Sequence, residues 1–218
     1  MKKLLSLLLL IVLTNTSFAQ TNKDLYLSNY PNGIYTTKED FINKLPNDTS
    51  AIVPKSLPGK KKDSLVLEQN TFFYTSNTDK KIKNVFAVVY NNHIFFNIAA
   101  ILSNRNKTDR SQNHNNPNSF VGVLVGGDNY LYTEANLANA WAQGFAYGIG
   151  GAVGGIAAQG MVYGKGIVWD VKNKEFNIFK NCKDFNEFIK EKHPSGVQEC
   201  ENNQPDVLKI RADIKSIL

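Results

Sequence analysis

The run Phe120–Thr133, FVGVLVGGDNYLYT, decides how the rest of the chain is read. Val121, Val123 and Val125 recur at every second position, the period of a strand with one face on a core. Gly126-Gly127-Asp128-Asn129 then turns the chain, and Tyr130–Thr133 returns as a partner strand. Further pairs lie on either side. Val85–Tyr90 and Ile94–Ala99 flank Asn91-Asn92, residues that tolerate left-handed geometry and suit a tight hairpin. Leu65–Leu67 and Phe72–Thr75 precede them, with Ser76-Asn77-Thr78-Asp79 as a turn, and a brief strand is expected at Ala51–Val53. Downstream, Ile167–Val171 and Phe176–Phe179 turn at Lys172-Asn173-Lys174. The fold class is therefore α+β, an antiparallel β-meander of about 7–9 strands.

Helix signals are fewer. Thr36-Thr37-Lys38-Glu39 has the form of a capping box and opens a short helix carrying Phe41, Ile42 and Leu45, stopped by Pro46. Two helices close the chain. Asp184–Lys192 places Phe185, Phe188 and Ile189 on one side, and Pro205 starts the last helix with Val207, Ile210, Ile214 and Ile217. Such apolar stripes cover a sheet. Residues 20–32 read as a flexible polar lead, residues 33–218 as one domain, and Ser103–Ser119 as an exposed polar loop.

Ala140–Tyr163, AWAQGFAYGIGGAVGGIAAQGMVY, carries no charge and seven glycines. Read as a helix, Ala140, Gly144, Gly148 and Ala152 fall four apart, with Gly151 and Gly155 as a second row. Small residues at this spacing let another backbone approach closely. Such a helix would run roughly 36 Å, against a bilayer core of about 30 Å, and Trp141 and Tyr163 stand near its ends. Glycine opposes this, costing a helix about 1 kcal/mol per residue relative to alanine. Topology opposes a single crossing as well, because strand-like runs on both sides would be parted if they share a sheet. A helical or hairpin insertion packed on its own domain, contact with a membrane or a second copy, and a glycine loop all stay open. The glycines do not match a dinucleotide fingerprint: the third falls one residue late and no strand leads into them.

The N-terminus has the form of a signal peptide over residues 1–19. Lys2 and Lys3 precede the apolar Leu4–Leu13, and Ser17-Phe18-Ala19 is a small-x-small cleavage site. Export places Cys182 and Cys200, the only cysteines, in oxidising surroundings, and a disulfide between them is expected. Two buried thiols are the alternative. Beyond the signal the balance is 23 basic to 19 acidic residues, a solvated surface rather than a nucleic-acid grip. The run Lys60-Lys61-Lys62 reads as solvated charge, with contact to an anionic surface as the sharper alternative.

No nucleophile elbow, zinc-protease helix, phosphate loop or EF-hand spacing occurs, and no cofactor or metal site is expected. His93, His114 and His193 are dispersed. Asp128, Glu134 and Asp170 are the carboxylates that strand ends could bring together for acid–base work, although turn formation accounts for Asp128.

The stretch Asn32–Phe41, NGIYTTKEDF, resembles the opening of a group of exported bacterial proteins of unknown function, which begin GIY-x-T-x-EDF. Asp79-Lys80-Lys81-Ile82-Lys83 before Phe86-Ala87-Val88, and Gly166-Ile167-Val168-Trp169-Asp170, are also similar to that group. The resemblance implies export and brings no activity or site. The resulting expectation is a non-enzymatic, envelope-associated protein, with a soluble periplasmic domain binding a small ligand as the alternative.

Overall fold

The computed structural model describes residues 25–55, 71–107, 112–114, 116–139, 163–200, 203 and 205–218. Among these, β1 (Gly33–Tyr35), β4 (Ala87–Tyr90), β5 (His93–Asn97), β7 (Phe120–Gly126), β8 (Tyr130–Asn139), β9 (Tyr163–Asp170) and β10 (Glu175–Ile178) form one antiparallel sheet in the order β1-β4-β5-β7-β8-β9-β10. The short β6 (Gln112–Asn113) pairs with the far end of β8. β2 (Ile52–Lys55) and β3 (Phe72–Thr75) make a separate two-stranded sheet. Helices α1 (Lys38–Ile42), α2 (Ile98–Ser103), α3 (Cys182–Ile189) and α4 (Val207–Lys215) complete the set. The α+β meander is the fold, with α3 and α4 at its C-terminal end.

The sheet curls on itself, as its aromatic contacts show. Phe86 and Phe96, at the β4–β5 end, meet Trp169 and Phe176 of β9 and β10, with ring centres 5.0–6.4 Å apart. Those strands are far apart in the sheet order, so their inner faces have come round to one another. Segment 104–106 seals the free edge of β10: Phe176 N donates to Asn104 O at 2.9 Å and Asn106 N to Phe176 O at 2.8 Å. Of the aromatic pairs, Phe86–Trp169 and Phe96–Phe176 are edge-to-face, an arrangement that adds about 0.5–1.5 kcal/mol each beyond area burial. Trp169 is fully buried with its indole N–H unpartnered, a cost of about 1–3 kcal/mol that the surrounding rings must offset.

The GIY-x-T-x-EDF stretch closes one end of this core. Gly33 has φ +148°, and a Cβ there would lie 2.7 Å from the Asp48 carbonyl oxygen, so only glycine fits. Tyr35 and Phe41 are buried in the aromatic cluster, and Phe41 stacks on Tyr30 at 4.5 Å. Thr37 caps α1, accepting from Asp40 N while the Asp40 carboxylate accepts from Thr37 N; the capping box thus lies one residue later than its expected start. Each residue of the stretch that is explained here is explained by folding.

Both sides of the sheet's outer face are covered. Phe73, Ile82, Val88, Phe95 and Phe120 form a cluster under the β2–β3 hairpin, and Tyr132, Val168, Phe185, Ile210 and Ile214 form one under α3 and α4.

Several expectations are corrected. β3 pairs with β2, with Pro54 opposite Phe73, while Leu65–Leu67 lies outside the described residues. Ile98 and Ala99 leave strand geometry, because the Asn97 side chain accepts from Ala100 N and starts α2. A register shift between Val123 and Val125 rotates the strand, so Val121 and Val123 face the inner core while Val125 faces the helices. The last helix starts after Asp206, whose side chain accepts from Leu208 N and Lys209 N; Pro205 stands outside it. Residues 25–32 are not a loose lead: Tyr26 N donates to Val123 O and Ser28 N to Asn92 O. Segment 103–119 is likewise not all loop, since it holds the end of α2, the β10 edge contact and β6.

Candidate functional site

Three polar arrangements stand on the helix side of the sheet. The first joins α4 to β8. Tyr132 and Glu134 occupy alternate positions of β8 and so share the face turned to the helices. Arg211 of α4 reaches down to them, Nε donating to Glu134 Oε1 at 2.7 Å and Nη2 to Oε2 at 2.9 Å, while Tyr132 Oη donates to Oε1 at 3.0 Å. The Glu134 side chain is 6 % exposed and that of Arg211 19 %. This fork-to-fork geometry gives a strong, directional pair. Hydrogen bonding to Glu134 raises the Arg211 pKa above its usual value, and burial raises that of the Tyr132 phenol. Gly166, opposite Glu134 in the ladder, leaves the room: a Cβ there would stand 3.0 Å from the Tyr132 ring.

The second is a polar cleft of about 360 Å³ between the β9–β10 hairpin and α3. Asp170, Glu175, Asn177, Asp184, Glu187 and Lys192 contribute to its wall, with Phe179 and Phe188. Its principal acids are already engaged. Asp170 accepts from Asn173 N and Nδ2, both at 2.9 Å, Glu175 from Asn106 Nδ2 at 2.9 Å, and Asp184 from Lys180 N at 3.1 Å. The third is an open groove of about 510 Å³ beside the Cys182–Cys200 disulfide, which ties α3 to the chain approaching α4. Asn186 reinforces that tie, its side chain donating to Gln198 O at 2.9 Å and accepting from Gln198 N at 2.9 Å.

The expected disulfide is present. Ala140, Gly144, Gly148, Gly151, Ala152 and Gly155 lie outside the described residues. Their flanks do not: β8 and β9 are antiparallel neighbours in register from Tyr130↔Asp170 to Leu137↔Tyr163. The three carboxylates named as acid–base candidates are not brought to one point. Glu134 pairs with Gly166 and Asp170 with Tyr130, four residues along the ladder or about 13 Å by strand rise. Asp128 sits in the β7–β8 turn; burial first, then Tyr26 and Asp128, push the Tyr30 phenol up to about 12. His93 contacts Tyr26 O at 3.0 Å, and His114 accepts from Asn116 N at 2.8 Å, its pKa lowered by burial. His193 contacts Ser195 at 3.2 Å and approaches Asp213 at 3.9 Å.

Arg211 and Tyr132 were not singled out from sequence. The only signal was a charge at Glu134, the one charged residue of β8, and such a charge, if buried, needs a partner. Among the described residues no group of three or more His, Cys, Asp or Glu is arranged to hold a metal, and no helix is long and apolar enough to cross a membrane. No family model, curated protein or solved structure matches the chain.

Proposed function

We propose that this is an exported, non-enzymatic protein of the cell envelope, in which the uncharged Gly/Ala-rich segment packs against its own sheet, a partner or the membrane. The observation that carries the reading is the β8–β9 pairing. A chain leaving antiparallel β8 at Asn139 must return to the same end of the sheet at Tyr163, so any membrane contact it makes involves an even number of crossings or none. The apolar side chains of this connection gain by burial, and its backbone groups then need hydrogen-bond partners within the segment or in what covers it. The signal-like N-terminus, the resemblance to exported proteins and the Cys182–Cys200 disulfide support an oxidising compartment. The non-enzymatic part is motivated by the sequence, which holds no nucleophile elbow, zinc-protease helix or phosphate loop. Carbonate washing of an envelope fraction tests the reading. Wild-type chain is expected to stay with the envelope and Gly144→Leu and Gly148→Leu variants to be released; equal release of all three contradicts it.

A second reading, a soluble periplasmic domain binding a small polar ligand, is favoured by the cleft between β9–β10 and α3. Under it the same leucine variants lower thermal stability and leave fractionation unchanged.

A further inference from the structure

The charge of the chain is unevenly placed. Residues 50–84 hold seven lysines against Asp63, Glu68 and Asp79, whereas the other residues from 20 onward carry sixteen of each sign. Among the described residues of 50–84 the charges are Lys55, Lys80, Lys81 and Lys83 against Asp79. The described part of this region is β2–β3 extended by the return 80–83, where Thr75 N donates to Lys80 O and Ile82 N to Phe73 O, both within 3.0 Å. Ile82 is buried in the cluster beneath, while Lys80 and Lys83 are exposed and Lys81 is half-buried. The Lys81 ammonium sits 3.5 Å from the centre of the Phe72 ring, and that of Lys55 sits 4.5 Å from the Tyr74 ring. Lys55 is answered by Asp79. Lys80, Lys81 and Lys83 have no carboxylate partner among the described residues. Burial and then Lys83 hold the Lys81 pKa below the usual lysine value, a cost that a nearby anion would relieve.

We propose that the outer face of β2–β3 and the 80–83 return docks on an anionic lipid bilayer, the three unanswered lysines meeting headgroup phosphates. The inference rests on the envelope-associated reading and names the surface that makes the contact. Ammonium groups beside aromatic rings, with Lys80 and Lys83 exposed next to them, offer a cationic surface of the kind anionic headgroups attract. Each lysine near such a surface contributes about 1 kcal/mol, or about fivefold in partition.

Flotation of the purified full chain with phosphatidylcholine vesicles, with and without phosphatidylglycerol, tests this. Binding is expected only with phosphatidylglycerol and is lost at high salt. The triple variant Lys80→Gln, Lys81→Gln, Lys83→Gln is expected to bind on the order of a hundredfold more weakly, at about fivefold per lysine. Because Lys81 covers Phe72, the pair Lys80→Gln and Lys83→Gln, both exposed, serves as the fold-safe variant, with an expected loss of about 30-fold. Removing the same charge on the helix side, with Lys190→Gln and Lys209→Gln, is expected to cost less than about threefold, since those groups stand off the surface. Equal losses from the two pairs overturn the proposal. So does absence of phosphatidylglycerol-dependent flotation, or binding to RNA or a sulfated polysaccharide in its place. A chain that stays in the washed envelope yet ignores these vesicles removes this surface and leaves the envelope reading. A chain that floats yet is missing from the envelope removes the reading and leaves the surface.

Discussion

The helix pair α3–α4 and the hairpin β2–β3 lie over different stretches of the same outer sheet face, and they are fastened differently. The helix side has an apolar cluster, a buried forked ion pair and a covalent tie between α3 and the approach to α4. Its acids are answered by neighbours, Asp184 by Lys180 and Glu187 by Lys183 among them. The hairpin side has an apolar cluster and backbone hydrogen bonds, and three of its cations are unanswered. Charge satisfied inside the fold holds the fold. Charge left outside at some electrostatic cost is where a partner of opposite sign gains most.

The largest expected effect lies in the layer beneath both covers. Phe96→Ala removes a fully buried ring touching Phe41, Phe86, Trp169 and Phe176 and should cost about 4 kcal/mol in urea unfolding. Next comes Arg211→Met, which strands the Glu134 carboxylate and should cost about 3–4 kcal/mol; adding Glu134→Gln should recover at least half, as a double-mutant cycle would report. Replacing both Cys182 and Cys200 by alanine should cost about 3 kcal/mol, and reducing agent should destabilise wild type by a similar amount without affecting the variant. On the hairpin side, Ile82→Val should cost about 1 kcal/mol. The pair Lys80→Gln and Lys83→Gln should change stability by less than about 0.5 kcal/mol, since neither group is held by a partner. If that lysine pair proved as costly to stability as Arg211→Met, the distinction between the two covers would vanish.

Much of the sheet was legible because its signals are local. Asn91 and Asn92 adopt φ +49° and +63°, the left-handed turn their side chains tolerate, and so fix the β4–β5 hairpin. The period-two apolar pattern set β7, β8 and β9. What was missed depends on contacts between distant residues or on one-residue irregularities. The shift after Val123 cannot be seen in an alternation that reads the same on either side of it. The partner of β3 lies across residues 56–70, and β2 is as weak a strand pattern as Leu65–Leu67, so pattern alone could not choose. Asn97 before Ile98-Ala99-Ala100 was a readable cap, masked by the apolar run leading into it. The Glu134–Arg211 pair spans 77 residues, and nothing local announces it.

The central claim is that the lysines of the hairpin side face an anionic partner while those of the helix side, where residues 180–218 carry seven charges of each sign, do not. Acetylation of lysines in the full chain, followed residue by residue by mass spectrometry with and without phosphatidylglycerol vesicles, tests it most directly. Labelling of Lys80 and Lys83 is predicted to fall on adding vesicles while that of Lys183, Lys190 and Lys209 holds steady. Uniform protection, or none at Lys80 and Lys83, would contradict the account.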